Sequence, residues 1–235
     1  MTEERNESGM LEHRSRIFGS SNSGIPLQVY LPTQGNPRIL LISAMHGDEN
    51  LASVLISEGM RSILPQNMRS AVILSMNPDG IMTGTRGNAN GVDLNRNYPT
   101  TNWQPDAVYH RNKPGEPQNI ALSPGSHPGS EPETTALIDL IATLKPDLIV
   151  SFHGFLACID DPLGHRISKD IAKRTQMELV PDVGYLTPGS FGTWCAEQGL
   201  PIITYELPPQ GIHTLREKHS PVIIDLLTGK YETEI

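Results

Sequence analysis

The stretch Ile39-Leu40-Leu41-Ile42-Ser43-Ala44-Met45-His46-Gly47-Asp48-Glu49 decides the fold, because a continuous apolar segment runs directly into a histidine and two carboxylates. Apolar residues without alternation are typical of a strand that is buried on both faces of a sheet. Other short apolar runs of strand length are Leu27–Leu31, Ala71–Met76, Leu148–Phe152 and Ile202–Tyr205. A sheet covered on both faces is therefore predicted.

Amphipathic segments lie between the apolar runs and predict helices. These segments are Asn50–Ile63, Glu131–Leu144, His165–Met177, Phe191–Gln198 and Thr214–Leu227. Ser130 and Glu133 have the spacing of a capping box for the second of them. Alternating strands and helices predict an α/β sandwich with a largely parallel sheet. Residues 83–130 interrupt this alternation with a stretch rich in Asn, Gly and Pro, and loops of that length are usually functional or disordered.

The bulk properties bound the class of protein. A chain of 235 residues forms one substantial core, so we predict a flexible or loosely packed segment over residues 1–16 and a single domain over residues 17–235. The net charge of −8 argues against a nucleic-acid partner, which needs a basic face. The first residues lack an apolar signal region, and no apolar run approaches the ~20 residues of a membrane span, so a cytoplasmic protein without a membrane partner is predicted.

Residues suited to metal chemistry follow the apolar runs, where ligands bind in open α/β sheets. His46 and Glu49 form an H-x-x-E, His153 follows the run Leu148–Phe152, and Glu206 follows Ile202–Tyr205. Two histidines and one carboxylate leave an open position for water on a tetrahedral zinc ion. Each residue taken singly is more often structural, but their convergence in one architecture predicts a site with one Zn²⁺ per chain.

A hydrolytic zinc site also needs a general base and a group that stabilises the oxyanion. Glu206 suits the first role and Arg86 the second, because a fixed guanidinium stabilises developing negative charge. Asn95 and Arg96 suit recognition of a substrate carboxylate, since arginine forms bidentate pairs with carboxylates. On spacing alone, both arginines are better explained as solvated loop charges.

The motifs together resemble the zinc carboxypeptidase family in order and spacing, over residues 44–208. They are His46-x-x-Glu49, Asn77-Pro78-Asp79-Gly80, Arg86, Asp93-Leu94-Asn95-Arg96-Asn97, Ser151-Phe152-His153 and Glu206. The resemblance implies a three-layer sandwich with a mixed, mainly parallel sheet of about eight strands between helices. It also implies that His46, Glu49 and His153 bind zinc.

The same resemblance implies roles for the other motif residues. Arg86 would polarise the scissile carbonyl, Asn95 and Arg96 would bind the terminal carboxylate of the substrate, and Glu206 would activate water. Digestive members of the family carry a mobile-loop tyrosine before the last catalytic strand. Tyr185 lies in the comparable region, but its register does not match cleanly, so no role is assigned to it.

A narrower set of segments is similar to the branch of this family that acts on cell-wall peptides. The segments are His46–Asn50, Asn88–Asn97, Gly129–Thr134, Leu156–Ile159 and Thr187–Gly192. That similarity implies a cytoplasmic enzyme with a small peptide substrate, the murein tripeptide. The bond cut would be the amide between γ-D-glutamate and meso-diaminopimelate.

Specific binding of diaminopimelate requires groups that recognise the ammonium and the carboxylate at the distal end of its side chain. Candidate acceptors are Asp160 and Asp161, and candidate hydroxyls are Thr187, Ser190 and Thr193. Because L-Lys lacks the distal carboxylate, a strong preference for the diaminopimelate peptide over its L-Lys counterpart is predicted.

Three alternative functions stay open at this point. One is a deacylase of acyl-amino acids, related to succinylglutamate desuccinylase or aspartoacylase, which shares the H-x-x-E and a similar Asn-Arg element. The second is another small-peptide carboxypeptidase. The third is a non-catalytic relative, although such proteins usually lose a ligand or the base. The sequence leaves the oligomeric state open.

Overall fold

The computed structural model of the protein describes residues 11–112 and 118–233. Of the predicted N-terminal segment 1–16, residues 1–10 lie outside the described residues, whereas Ser15 and Arg16 already belong to the first strand. Among the described residues, no helix is both long enough and apolar enough to cross a bilayer.

Within the described residues the chain forms ten strands, six α-helices and two short 3₁₀ helices. The strands are β1 (Ser15–Ser20), β2 (Pro26–Tyr30), β3 (Ile39–Ile42), β4 (Ala71–Ile73), β5 (Val108–Asn112), β6 (Gln118–Leu122), β7 (Leu148–Gly154), β8 (Cys158–Asp160), β9 (Glu178–Val180) and β10 (Ile202–Leu207). The α-helices are α1 (Leu51–Arg61), α2 (Pro78–Thr83), α3 (Pro132–Leu144), α4 (Arg166–Thr175), α5 (Phe191–Glu197) and α6 (Ile212–Leu227). The 3₁₀ helices are η1 (Pro65–Asn67) and η2 (Leu94–Arg96).

Eight strands form one mixed sheet in the order β1-β2-β4-β3-β7-β10-β8-β9, and β5 and β6 form a separate antiparallel hairpin. The four central strands, β4, β3, β7 and β10, are mutually parallel. Strand β10 lies between β7 and β8, although β7 and β8 are consecutive along the chain. The parallel strands bring their carboxyl ends to one edge of the sheet.

The sheet is covered on both faces, and the side chains of β3 alternate between two apolar cores. Ile39 and Leu41 join the core that contains residues of α1, α4 and α6. Leu40 and Ile42 join the core that contains residues of α3 and α5. This double burial explains why the central strands are continuous apolar runs. The predicted three-layer α/β sandwich with a mixed, mainly parallel sheet of about eight strands is confirmed.

The predicted capping box at α3 is wrong. The N-cap of α3 is Glu131, which makes no side-chain cap hydrogen bond, and Pro132 occupies the first turn. A capping-box serine would accept from a backbone N–H of the first turn. Here the Ser130 hydroxyl donates to Glu131 Oε1 at 2.7 Å and accepts from Asn97 Nδ2 at 3.0 Å. Glu133 accepts a hydrogen bond from the backbone N–H of Asn22 at 2.9 Å. Both side chains therefore bind neighbouring segments rather than each other's backbone.

Candidate active site

The loop after β3 packs backbone against backbone on the loop after β4. A Cβ on Gly47 would overlap the carbonyl carbon of Gly80, so glycine is required at this approach. Ala44 has a left-handed φ of 52° and its carbonyl accepts from the N–H of Asn77 at 2.9 Å. An L residue in this conformation costs roughly 1–2 kcal/mol. The chain thus accepts strain and close contact to turn His46 toward the sheet edge.

The motif Asn77-Pro78-Asp79-Gly80 fixes the two loops through hydrogen bonds of Asn77. Asn77 Oδ1 accepts from the N–H of Gly80 at 2.9 Å and caps α2. Asn77 Nδ2 donates to the carbonyl of Arg86 at 3.1 Å, and the N–H of Gly47 donates to the same carbonyl at 3.3 Å. One asparagine therefore couples the histidine loop to the segment that carries Arg86.

His46, Glu49 and His153 come together at the carboxyl ends of β3 and β7. The structure places one ligand atom from each within 4.8 Å of the others, and all three residues are buried. Glu49 Oε2 lies 2.9 Å from His46 Nδ1 and 3.1 Å from His153 Nδ1. The two Nδ1 atoms lie 3.2 Å apart. We call these residues the metal triad.

The far nitrogen of each imidazole has its own partner. His46 Nε2 lies 3.1 Å from Asp93 Oδ1, and His153 Nε2 lies 3.1 Å from the Ser151 hydroxyl. Such outer contacts fix the tautomer and the ring orientation of metal-binding histidines. Both Nδ1 atoms are thereby left to face Glu49, which is the donor set and the orientation that a zinc ion requires.

Charge balance inside the triad depends on its neighbours. Burial would raise the pKa of the Glu49 carboxyl, but His46, His153 and Arg86 hold that pKa well below its usual range. Burial and Arg86 would lower the pKa of His46, but the carboxylates of Glu49 and Asp93 outweigh them and raise it to about 9. The site therefore stabilises positive charge at its centre.

Arg86 lies beside the triad, held by two carboxylates. Its Nη1 donates to Glu49 Oε1 at 2.6 Å and its Nε donates to Asp93 Oδ2 at 3.1 Å. A guanidinium has five N–H donors, so these contacts leave further donors for a substrate oxygen. The same two contacts make Arg86 a structural support for the triad as well as a candidate oxyanion group.

Glu206 lies on β10 in parallel register with His153 on β7, which puts the two side chains side by side. Its Oε2 atom is buried and has no hydrogen-bond partner within residues 11–112 and 118–233. Burial raises the pKa of Glu206, and Glu49 adds to this against the effects of His153 and His46. A buried carboxylate with an unengaged oxygen and a raised pKa is suited to proton transfer.

Asn95 and Arg96 lie in η2, on the side of the site formed by the start of α5. Asn95 Oδ1 accepts from the N–H of Phe191 at 2.8 Å, so its Nδ2 points away from that contact as a donor. Arg96 is largely buried, and its Nη1 donates to the carbonyl of Asn95 at 2.6 Å. Gly189 packs against Arg96 so closely that a Cβ would overlap the Arg96 carbonyl.

Two residues at this site lacked a clear sequence signal. Asp93 was part of the motif but had no assigned role, and it contacts both His46 and Arg86. Tyr185 is more than half exposed, yet burial of its hydroxyl and the nearby Glu206 raise its pKa, while Arg96 and Arg86 oppose this. The charges that act on the Tyr185 phenol are thus those of the site residues, a relation that its imperfect register concealed.

The two adjacent candidate acceptors for the distal end of a substrate have different surroundings. Asp161 is buried and accepts hydrogen bonds from the N–H of His165 at 2.6 Å and from the Ser168 hydroxyl. Its carboxylate is engaged in holding the start of α4. Asp160 Oδ1 is buried and has no hydrogen-bond partner in the part of the chain that the structure describes. Only Asp160 therefore retains an unengaged acceptor.

Comparison with known proteins agrees with this geometry. A family model described as zinc carboxypeptidase matches residues 16–186, and the chain belongs to this family of hydrolases. Murein peptide amidase A of Escherichia coli strain K12 is 42% identical over 230 residues, which are 97% of this chain and 95% of that protein.

Solved structures show the same relationship. The crystal structure of murein-tripeptide amidase from Escherichia coli O157 superposes with a TM-score of 0.91 at 40% identity, covering 97% of this chain and 98% of the other. Bovine thrombin-activatable fibrinolysis inhibitor superposes with a TM-score of 0.73 at 18% identity, covering 95% and 91% of the two chains. The second similarity shows a shared fold.

Proposed function

We propose that this protein is a zinc-dependent amidase that cuts the bond between γ-D-glutamate and meso-diaminopimelate in the murein tripeptide. The observation that carries the proposal is the buried metal triad beside Glu206, in a chain similar over nearly its whole length to murein peptide amidase A. The cytoplasmic location expected from the sequence stays a prediction, which cell fractionation tests.

The residues of the triad fit zinc. Two imidazole nitrogens and one carboxylate oxygen converge, and the outer contacts of both rings leave the converging nitrogens free to bind metal. When bound there, zinc supplies a Lewis acid that lowers the pKa of water and polarises a carbonyl.

Glu206 performs the proton transfers in this proposal. Its carboxylate takes a proton from the attacking water as the new C–O bond forms at the γ-carbonyl of D-glutamate. It then gives that proton to the departing nitrogen as the C–N bond breaks. The products are L-Ala-D-Glu, with a free γ-carboxylate, and diaminopimelate, with a free amino group.

The three remaining site residues orient the substrate and stabilise charge. Arg86 offers its remaining N–H donors to the oxygen that becomes negative in the transition state. Asn95 Nδ2 and the Arg96 guanidinium bind the carboxylate next to the amino group that is released. Because Asn95 is fixed by Phe191 at the start of α5, this contact also sets where the leaving residue lies.

The decisive assay incubates zinc-loaded protein with L-Ala-γ-D-Glu-meso-diaminopimelate and measures free diaminopimelate. We expect the parent protein to release diaminopimelate. Turnover by Glu206→Gln should be slower by about 10²-fold or more, which is the lower range of what loss of a general base costs. N-succinylglutamate and N-acetylaspartate are assayed in parallel. Cleavage of these acyl-amino acids without cleavage of the peptide would establish the deacylase alternative instead.

A further inference from the structure

A row of polar side chains continues from Glu206 into the sheet, away from the metal triad. Strand β8 pairs with β10 in antiparallel register, Glu206 opposite Cys158 and Thr204 opposite Asp160. Paired residues, and residues two apart on one strand, lie on the same face of a sheet. All four side chains therefore share one face, with Asp160 and Thr204 about 7 Å beyond Glu206 along the strands.

The opposite face of these two strands packs into an apolar core. Ile159 and Tyr205, which alternate with the polar residues, are fully buried in the core that contains α1, α4 and α6. The polar row consequently lies on the side of α3 and α5. On that side Ile202 packs against the core that includes Phe191, the first residue of α5.

Asp160 is an unusual residue for that position. Strand β8 has neighbours on both sides, so its backbone is interior to the sheet, and Asp160 Oδ1 is buried without a hydrogen-bond partner. Burial raises the pKa of the Asp160 carboxyl to about 6, and Glu206, Asp182 and Asp161 add to the effect. A buried acceptor without a donor is destabilising, and more so when it is charged. A cation from outside the chain would supply the missing donor.

We infer that Asp160 is the acceptor for a distal ammonium group on the side chain of the leaving residue. The inference rests on the proposed function for the position of that residue: Asn95 and Arg96 hold its carboxylate beside Phe191, so its side chain extends between α5 and the face of β8 and β10. Diaminopimelate and lysine both carry an ammonium group at the end of a flexible stem, and both satisfy Asp160.

The candidate hydroxyls at the start of α5 are occupied with one another. Ser190 Oγ accepts from the N–H of Thr193 at 3.1 Å and lies 2.9 Å from the Thr193 hydroxyl, and Thr187 Oγ1 donates to Ser190 Oγ at 3.2 Å. These groups are neutral and engaged with one another. Asp160 is thus the candidate that combines a charge with an unengaged oxygen. Under this inference the distal end of the substrate makes two separate contacts, an ammonium contact that lysine also makes and a carboxylate contact that is specific to diaminopimelate.

The test compares three peptides, L-Ala-γ-D-Glu-X, in which X is meso-diaminopimelate, L-lysine or L-norleucine. Norleucine keeps the stem of lysine and lacks its ammonium group. We expect Asp160→Asn to lower kcat/KM about 10- to 100-fold for the first two peptides, the range for one charged hydrogen bond, and to leave the norleucine peptide unchanged or improved. Asp182→Asn removes an exposed neighbouring carboxylate and should leave all ratios unchanged.

Equal losses of kcat/KM for all three peptides would assign Asp160 a structural role. An unchanged ratio of kcat/KM between the lysine and norleucine peptides would also overturn the inference.

Calorimetric binding of free meso-diaminopimelate, L-lysine and L-norleucine to the zinc-loaded protein separates this inference from the proposed function. If no peptide is cleaved, the proposed function fails. Loss of diaminopimelate and lysine binding in Asp160→Asn would still support the ammonium contact, and failure of the parent to prefer them over norleucine would refute it.

Discussion

Two groups of buried charged side chains, both within the described residues, can be compared in this protein. One is the metal triad, and the other is a carboxylate cluster, formed by Asp79, Glu131 and Glu133 where α3 meets the loops after β1 and β4. Both combine charge with low exposure, which costs free energy unless each charge has partners. They differ in where those partners come from.

The carboxylate cluster is satisfied by the chain itself. Each of its six carboxylate oxygens accepts at least one hydrogen bond from a hydroxyl, an amide or a backbone N–H. The donors are Ser21, Asn22, Ser23, Asn88, Asn90 and Ser130. Asn88 is central, because its Nδ2 donates to both Glu131 and Glu133.

The metal triad has the opposite balance. Three potential metal-ligand atoms, two Nδ1 and one Oε2, converge at 2.9–3.2 Å, and beside them Glu206 Oε2 has no hydrogen-bond partner among the described residues. Buried acceptors that converge without enough donors require a cation from outside. A ligand site and a structural network can therefore have similar burial and charge. They differ in whether the chain provides a hydrogen-bond donor for each buried acceptor.

Removal of the metal should have the largest effect. Chelation should abolish hydrolysis and lower the Tm, because zinc at 1,000 times its Kd stabilises the folded state by about 4 kcal/mol. Zinc should restore both properties in the parent but neither in His153→Ala. Metal analysis and thermal unfolding measure this, and full activity in a metal-free preparation would contradict it.

Glu206→Gln tests the unpaired oxygen. We expect kcat to fall by ~10² or more, since glutamine cannot take the proton from water. Zinc content should be unchanged and the Tm equal or higher, because a buried carboxylate with a raised pKa is removed. Exposed Glu178→Gln is the control. A large fall in the Tm with normal turnover would show that Glu206 has a structural role, like the residues of the carboxylate cluster.

Arg86→Ala tests the residue that joins both roles at the site. At saturating zinc, kcat should fall more than KM rises, with a barrier increase of about 3 kcal/mol. Zinc affinity should also fall about 10- to 100-fold, since Arg86 supports Glu49 and Asp93. Exposed Arg69→Ala should match the parent in both assays. Parent-like kinetics in Arg86→Ala would make it an ordinary loop charge.

Asn88→Ala tests the satisfied cluster. Loss of its donors should reduce the free energy of unfolding by about 2 kcal/mol, because two buried carboxylates lose a partner. Zinc content and kcat per folded molecule should stay those of the parent. Urea unfolding and kinetics at low temperature measure the two properties, with exposed Asn67→Ala as the control. A loss of zinc would show that the cluster and the triad are coupled.

The smallest effect concerns pH. Burial raises the pKa of Glu133, and Asp79 adds to this against hydrogen bonds from Asn22 and Asn88. The folded state then binds the proton more tightly than the unfolded chain, so stability falls as pH rises from about 4.5 through the folded pKa. Glu133→Gln should flatten this dependence relative to exposed Glu197→Gln. An identical slope in both variants would remove Glu133 from the pH response.

The sequence predicted the centre of the sheet and missed its edges for a physical reason. Strands β3, β7 and β10 are apolar because both faces are covered, and they carry the ligands and the base at their ends. Strand β1 has a largely exposed pattern, and β8 and β9 have three residues each. Such short or exposed strands form through pairing with neighbours, which no local pattern records.

The candidate site shows the same limit at finer scale. Motif spacing was enough to select His46, Glu49 and His153, which the structure brings together. Asp160 and Asp161 were indistinguishable in sequence, because only the register of β8 with β10 shows which carboxylate faces the site. The capping box failed since tertiary partners of Ser130 and Glu133 outcompeted the local helix end.

The position of β10 between β7 and β8 has a consequence for synthesis of the protein. All three residues of the metal triad precede β8 in the chain, so the ribosome delivers them before residues 202–207 exist. Until β10 arrives, β7 has an open edge, and β8 lacks the neighbour that separates it from β7. Insertion of β10 completes the sheet and brings in Glu206 in the same step. A nascent chain can therefore assemble the metal triad first, and it gains the proposed general base only when the last strand closes the sheet.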